Sequence, residues 1–193
     1  MRTSALTTSF IVILALCGSV RALANSAPVP PPIEQGTTDC ASSTYASDQL
    51  VCSDEALRAL DRKLRDLLPL PAIPPGVVIE GQSDWFRRSR LCALRANHYD
   101  CLRAAYRERL SVVKALRHIA NGLPKWRDAN CDGGTMRLAE LGHNVVAVEQ
   151  NHQIWIVLTA TELVIWKPFA WARTNGGRLE IHEAGDIVLH CNF

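Results

Sequence analysis

The sequence predicts an α+β fold, in which a small disulfide-bonded helical domain precedes a small antiparallel β-barrel-like domain. Leucines recur every three or four residues between Ser53 and Leu68, and further helical patterns begin at Ser83 and Asp100. After Pro124 the pattern changes to short runs rich in Val, Ile, Leu and Trp, separated by Gly, Asn and Asp. An even number of cysteines beyond the N-terminal segment indicates a disulfide framework. Such a framework is typical of exported proteins.

Residues 1–24 have the pattern of a secretory signal peptide. Arg2 precedes an apolar run from Phe10 to Cys17, and small residues at Ala22 and Ala24 predict cleavage after Ala24. We therefore expect an exported chain, either periplasmic or secreted.

Two other interpretations of this segment stay open. A membrane anchor is disfavoured because the apolar run has roughly 8 residues, whereas a spanning helix needs about 20. A lipoprotein with a lipid anchor on Cys17 is also disfavoured, because the bulky Leu16 precedes that cysteine where a small residue is expected.

Charge argues against a nucleic acid partner. The chain of 193 residues has 21 basic and 19 acidic residues. Removal of residues 1–24 takes away Arg2 and Arg21 and no acid, which leaves a mature net charge of 19 − 19 = 0. Binding to phosphates needs an excess of lysine and arginine.

A flexible linker is expected over residues 25–38, because proline and small polar residues dominate there. The helical domain is expected over residues 39–120. In its first helix Ser53 is the predicted N-cap, and Pro69 ends the leucine pattern.

Residues 69–82 are rich in proline and predict a stiff connector. Capped helices are expected to start at Ser83 and Asp100. The last helix has a predicted apolar face, and we expect its arginines to lie on the opposite, solvated face. The apolar positions are Leu102, Ala105, Tyr106, Leu110, Val113 and Leu116.

The β domain is expected over residues 124–193. Six runs predict strands, namely TMRLAEL, NVVAVEQ, IWIVLTA, ELVIWK, RLEIH and DIVLHC. The sequences Asp-Gly-Gly and Asn-Gly-Gly between them favour tight turns.

Disulfide bonds are expected among the six cysteines of the mature chain. Six cysteines allow many pairings in principle. The simplest pairing joins neighbours within the helical domain and ties the start of the β domain to its end. The resulting bonds are Cys40–Cys52, Cys92–Cys101 and Cys131–Cys191.

Motifs for catalysis, metals and cofactors are missing from the sequence. The six histidines are scattered, with no His-x-x-x-His or Cys-x-x-Cys spacing for zinc. There is no nucleophile elbow, phosphate loop or dinucleotide fingerprint, and cysteines in disulfides are not nucleophiles. The sequence therefore favours a binding protein without a cofactor or metal over an enzyme.

The helical domain resembles the LprI family of bacterial lysozyme inhibitors over about eighty residues. The resemblance rests on Asp39-Cys40, on VCSDEALRALDRKL, on Trp85 followed by Arg88 or Arg90 and Cys92, and on DCLRAAYRERL. The proline-rich segment 69–82 departs from the family pattern, in which helix more often follows helix directly.

The β domain is similar to the MliC type of C-type-lysozyme inhibitor. The matching residues are Trp126 and the Cys131-Asp132-Gly133-Gly134 turn. That family inserts a serine and a lysine from two loops into the lysozyme cleft. The nearest positions here imply an inhibitory site at Asn175, Gly176, Arg178, Glu183 and Gly185, although Asn175, Leu179 and Ala184 replace the family's serine, tyrosine and lysine.

The resemblance implies an exported inhibitor that protects peptidoglycan by occluding the active-site cleft of a lysozyme, with C-type lysozyme as the partner. The alternative is a non-catalytic cell-envelope interaction module that has lost lysozyme binding.

Overall fold

The computed structural model describes residues 36–70, 72–122, 124–159, 165–175, 178–183 and 186–192. The expected signal peptide and residues 25–35 of the expected linker lie outside this part of the chain. The predicted fold class is confirmed: an N-terminal helical unit precedes a closed barrel of seven strands.

The helical unit contains four α-helices and one 3₁₀ turn among the described residues. They are α1 (Ala46–Ser53), α2 (Glu55–Asp66), α3 (Gln82–Ser89), the 3₁₀ turn (Arg90–Leu94) and α4 (His98–Ala120). The short helix α1 was not predicted from the sequence. No helix within the described ranges is long and apolar enough to cross a membrane.

The predicted cap at Ser53 is wrong, because Ser53 is the last residue of α1. Asp54 caps α2, and its carboxylate accepts a hydrogen bond of 2.8 Å from the backbone N–H of Leu57. The extended backbone of Asp54 separates the two helices and places this carboxylate over the free N–H groups of α2.

The helices expected from Ser83 and Asp100 also begin earlier than predicted. They start at Gln82 and His98, and no side chain caps either of them. Asp100 instead lies in the first turn of α4, where its charge is favourable beside the positive end of the helix dipole.

The core of the helical unit forms where α2, α3 and α4 meet. Every predicted apolar position of α4 is buried. The expectation that its arginines are solvated is wrong for Arg109, which is 1% exposed. Other large core residues are Leu57, Leu64, Trp85 and Phe86.

All three predicted disulfides are present, Cys40–Cys52, Cys92–Cys101 and Cys131–Cys191. The first joins the N-terminal segment to α1. The second joins the 3₁₀ turn to the start of α4. The third links neighbouring residues on the first and last strands of the barrel.

The barrel is built mainly from antiparallel neighbours. Its strands are β2 (Arg127–Cys131), β3 (Gly134–Gly142), β4 (Val145–Gln150), β5 (Gln153–Thr159), β6 (Ala170–Asn175), β7 (Arg178–Glu183) and β8 (Asp186–Asn192). They follow the order β5-β4-β3-β2-β8-β7-β6, and a parallel pairing of β5 with β6 closes the barrel. A two-residue strand, β1 (Val77–Val78), adds in parallel to β5 outside the barrel.

The strand predicted at ELVIWK is not present in the part of that run that the structure describes. Residues 162–164 lie outside the described ranges, and residues 165–167 are not in a strand. Trp166 instead packs into the core of the helical unit, with the Arg88 guanidinium 4.2 Å from the centre of its ring. Two barrel strands, β2 and β6, are not among the runs that the sequence predicted as strands.

The helical unit and the barrel share a hydrophobic interface. One face of β3, β4 and β5 fills the barrel, and the opposite face packs against the C-terminal half of α4. Residues of α4 in this interface are Val112, Ala115, Leu116 and Ile119. The apolar residues of β4 and β5 are therefore buried on both faces, as the continuous run IWIVL requires.

The helical unit begins before residue 39. Thr38 is 2% exposed, and its backbone N–H donates a hydrogen bond of 3.1 Å to Asp61 Oδ1. The end of the expected linker is thus part of the packed unit.

Candidate functional site

The three described residues of the predicted inhibitory site, Asn175, Arg178 and Glu183, lie at opposite ends of the barrel. Asn175 and Arg178 face each other where β6 turns into β7, and Glu183 faces Asp186 where β7 turns into β8. Five residue steps along β7 separate Arg178 from Glu183, a distance of about 16 Å in an extended strand. Gly176 and Gly185 lie outside the described residues, and so does Ala184.

We call the two open ends of the barrel the β3–β4 mouth and the β4–β5 mouth. The β3–β4 mouth has the hairpins at 142–145 and 175–178. The β4–β5 mouth has the hairpins at 150–153 and 183–186. The structure therefore brings Asn175 and Arg178 together at one mouth, and places Glu183 at the other.

A cavity of about 380 Å³ opens at the β3–β4 mouth. Its apolar wall includes Leu138, Val146 and Leu179, and its polar lining is Arg127, Glu140, His143, Asn144 and Thr159. Apolar walls with a few converging polar groups are typical of binding sites.

The rim of this cavity is shaped by a tight hairpin. His143 and Asn144 both have positive φ, at 56° and 59°, which suits a two-residue turn between twisted strands. The carbonyl of Asn144 accepts a hydrogen bond of 2.7 Å from the backbone N–H of Thr159. Arg127 donates to Glu140 Oε1 at 2.8 Å across the rim.

Arg178 is an exposed cation beside the same cavity. It precedes Leu179, which is 2% exposed and points into the barrel. Side chains alternate along a strand, so Arg178 points away from the barrel interior. Among the described residues, Arg178 forms no ion pair, so no carboxylate competes with a partner for its guanidinium.

The β4–β5 mouth has a ring of polar side chains that continue the inward-facing series of their strands. Gln150, Gln153 and Glu183 follow the alternation of the core residues of β4, β5 and β7. Those core residues are Val146, Val148, Trp155, Val157, Leu179 and Ile181. Beneath the ring lies a cavity of about 80 Å³.

An aromatic pair covers the outer face of the barrel next to this mouth. Ala170 and Ala172 fill the barrel, so Trp171 points outward, and its ring stacks on that of His182 with the centres 3.8 Å apart. Neither Trp171 Nε1 nor His182 Nδ1 has a hydrogen-bond partner among the described residues. Burial lowers the pKa of His182, which favours the neutral imidazole.

The helical unit contains a buried carboxylate network that sequence reasoning did not find. Asp61 Oδ1 accepts hydrogen bonds from the Thr38 N–H and from Tyr106 Oη at 2.9 Å, and Asp61 Oδ2 pairs with Arg65 at 2.7 Å. Burial, and then the charge of Asp61, raises the pKa of Tyr106 well above its usual value. This network fastens the N-terminal segment to α2 and α4.

Two of the arginines in the LprI-like pattern form paired hydrogen bonds with carboxylates. Arg88 donates two hydrogen bonds of 2.6 Å to Glu80, and Arg90 donates at 3.1 and 2.7 Å to Asp48. The spacing of the pattern pointed to the arginines but gave no signal for their acidic partners, which lie on other segments of the chain.

A further buried carboxylate lies next to these pairs. Burial raises the pKa of Glu108 from 4.5 to about 7, although Arg88 and Arg109 act in the opposite direction. This group exchanges its proton near neutral pH, but it is 7% exposed and lies in the packed core of the helical unit. We therefore treat it as a determinant of stability.

Metal-binding clusters of three or more His, Cys, Asp or Glu side chains are absent from the described ranges. Comparison of the chain with protein-family models, with characterised proteins and with solved structures found no match. The resemblance to the LprI and MliC types therefore stays a prediction from the sequence.

Proposed function

We propose that this chain is a proteinaceous inhibitor of lysozyme that acts at the cell envelope by occluding the active-site cleft. The observation that carries the proposal is the hairpin between β6 and β7, which places Asn175 and the exposed Arg178 opposite each other at one end of a small disulfide-bonded barrel.

The chemistry of the target supports this assignment. A lysozyme cleft has two carboxylates, of which one is largely ionised. A guanidinium can pair with a carboxylate through two hydrogen bonds, and an asparagine amide can donate to the other group. The backbone pairing of Asn175 with Arg178 keeps the two residues side by side, which reduces the conformational entropy lost on binding.

Export is part of the same proposal. Three disulfides among the described residues are compatible with an oxidising compartment outside the cytoplasm. We propose that residues 1–24 direct the chain there, with cleavage after Ala24 and without a lipid on Cys17.

The proposal is tested with the mature, oxidised protein and a double variant, Asn175→Ala with Arg178→Ala. The mature protein should slow the lysis of a lysozyme-sensitive cell suspension. The double variant loses the contacts of Asn175 and Arg178, which we expect to cost at least about 1.4 kcal/mol of binding free energy. It should therefore require at least tenfold more protein for the same inhibition. Arg58→Ala, which removes an exposed arginine of α2, is the matched control.

A second candidate function is an envelope interaction module that does not bind lysozyme. One observation favours it: Leu179 stands where the MliC type has a tyrosine, and its side chain is buried inside the barrel. That position therefore offers no polar group to a partner. Failure to bind lysozymes of several classes, together with capture of a different envelope protein by the immobilised mature chain, would favour this function.

A further inference from the structure

The cavity at the β4–β5 mouth combines apolar walls with a polar rim. Val148, Trp155, Ile181 and Leu189 line it as apolar residues. Its rim has the inward-facing side chains of Gln150, Gln153 and Glu183. With polar groups at its rim and the ring of Trp155 beneath them, the cavity fits the polar tip of a side chain that enters from outside.

The rim has a negative charge that the described residues leave unbalanced. Glu183 forms no hydrogen bond or ion pair with any described residue. The described residues that line the cavity include neither lysine nor arginine. His182 also borders the cavity, and its neutral imidazole adds no positive charge near neutral pH.

The residues outside the rim do not neutralise Glu183 either. Glu149 on β4 pairs with Arg137 on the outer face of the sheet. On the outer face of β6 and β7, Arg173 lies opposite Glu180, and it contributes a positive charge near His182. Both arginines are paired with, or lie opposite, acidic residues on the outside, whereas Glu183 belongs to the inward-facing series of β7.

Lysine and arginine have the complementary chemistry. A basic side chain that a partner inserts enters tip first, so its cation lies between the polar rim and the aromatic ring beneath it while its methylene stem stays at the entrance. The cation would meet the carboxylate of Glu183 and the amide oxygens of Gln150 and Gln153, and the ring of Trp155 offers a cation–π contact. An apolar guest would leave the carboxylate desolvated without a partner, and an anionic guest would be repelled.

We infer that the β4–β5 mouth is a pocket for a basic side chain, arginine or lysine, that a protein partner inserts between Gln150, Gln153 and Glu183. This inference deepens the proposed function and rests on it for the identity of the partner, because it gives lysozyme a second contact through one of its basic side chains. The pocket itself is tested without any lysozyme.

The probe is n-propylguanidinium, which reproduces the arginine side chain, and the control probe is n-propylurea, which has nearly the same shape without the charge. Each is titrated into the ¹⁵N-labelled mature protein, and amide chemical shifts are followed by NMR. We expect millimolar binding of the guanidinium probe, with the largest shifts at Gln150, Gln153, His182 and Glu183. The urea should bind at least roughly tenfold more weakly, because it lacks the charge-assisted hydrogen bonds.

Two variants test whether Glu183 contributes to the binding of n-propylguanidinium. Glu183→Gln keeps the size of the side chain and should weaken binding of n-propylguanidinium by roughly tenfold. Glu55→Gln, at an exposed position on α2, should leave it unchanged. Equal binding of the two probes, shifts that map elsewhere, or a Glu183→Gln variant that binds like the parent protein would overturn the inference.

The same probes separate this inference from the proposed function. A chain that binds n-propylguanidinium through Glu183 but inhibits no lysozyme retains the pocket and refutes the proposed function. A chain that inhibits lysozyme but does not bind the probe at this mouth refutes the pocket alone. If both hold, Glu183→Gln should weaken inhibition of lysozyme as well as binding of the probe.

Discussion

Glu108 shows how burial in the helical unit changes the chemistry of one side chain. It lies on α4, where the charges of Arg88 and Arg109 lower its pKa. Burial has the larger effect and raises the pKa from 4.5 to about 7. Because the folded state binds this proton more tightly than the unfolded chain, the stabilisation is complete below about pH 4.5 and is lost as the pH rises through 7.

Replacing Glu108 with glutamine should remove this pH dependence. Above pH 7 we expect Glu108→Gln to be more stable than the parent chain by roughly 2 to 3 kcal/mol, because the variant has no buried carboxylate to ionise. The difference should shrink towards pH 4. Urea unfolding at several pH values measures it, with Asp66→Asn at an exposed position as the control. A constant difference between pH 4 and 8 would contradict the explanation.

Asp61 is expected to be one of the most sensitive single positions. Asp61→Ala leaves the buried Thr38 N–H without its acceptor and leaves the Tyr106 hydroxyl with only Thr38 Oγ1, at 3.2 Å. We expect a loss of about 2 to 4 kcal/mol in the free energy of unfolding, against less than about 0.5 kcal/mol for Asp66→Ala on the surface of the same helix. Equal losses in the two variants would show that the network contributes little.

At this scale, the sequence indicated which residues matter more readily than what they contact. Asp61, Arg88 and Arg90 were part of the pattern that resembles the LprI family, but partners such as Tyr106, Glu80 and Asp48 are 8 to 45 positions away. The burial of Arg109 also had no signal, because the acceptors of its Nε and Nη1 groups, Gln82 Oε1 and the Glu80 carbonyl, lie on a segment that looked like a connector.

The C-terminal half of α4 is the element that joins the two units. Ala115 is fully buried, in the hydrophobic cluster that α4 forms with the outer face of the barrel and that also includes Ala147 of β4. Small residues in such a cluster let a helix and a sheet approach closely, so this interface depends on residues that a helical pattern alone would not single out.

Enlarging Ala115 should therefore destabilise the molecule. We expect Ala115→Gln to lower the free energy of unfolding by about 2 to 3 kcal/mol, since it overpacks the interface and buries an amide. Ala120→Gln, at an exposed position near the end of the same helix, is the matched control. A loss below about 0.5 kcal/mol for Ala115→Gln would argue that the barrel and α4 do not pack in solution.

The Cys131–Cys191 disulfide should contribute more than Cys40–Cys52. It closes a loop with a sequence separation of 60, whereas the other closes one of 12. Loop entropy gives about 4 kcal/mol for the first and about 3 kcal/mol for the second. Thermal unfolding of the two double Cys→Ser variants should therefore show the larger loss for the barrel bond, and the reverse order would contradict this reasoning.

Element by element, the sequence predicted what local pattern controls. Strands β3, β4, β5, β7 and β8 were predicted because each is a short apolar run between turn residues. The described part of the run ELVIWK, residues 165–167, is not a strand, because Trp166 packs against Arg88 and the helical core. Strand β6 was missed because Ala170, Ala172 and Arg173 give it no strong β pattern.

At the scale of the whole molecule, the two units form one packed body in which α4 covers one side of the barrel and leaves both mouths open. The sequence predicted their order and their disulfides but not this interface. It also grouped Asn175 with Glu183, which the alternating direction of the strands places at opposite mouths. Such separation depends on topology, and local spacing does not encode it.

In a complex with lysozyme, the two mouths of the barrel would make different contacts. We propose that the β6–β7 hairpin supplies the cation at one mouth and that the β4–β5 mouth receives a cation from the partner. Inhibition by the Arg178→Ala variant and by the Glu183→Gln variant should therefore respond differently to salt, because exposed charge pairs are screened by salt more strongly than pairs buried in a pocket.

The central claim is that the mature chain inhibits lysozyme through the β6–β7 hairpin. The direct measurement is the initial rate of lysis of a lysozyme-sensitive cell suspension, recorded as the oxidised mature protein is titrated against a C-type lysozyme. We expect the rate to fall as the inhibitor approaches and exceeds the lysozyme concentration, and to recover with the Asn175→Ala and Arg178→Ala double variant but not with Arg58→Ala. An unchanged rate of lysis at micromolar excess, with lysozymes of several classes, would contradict the claim.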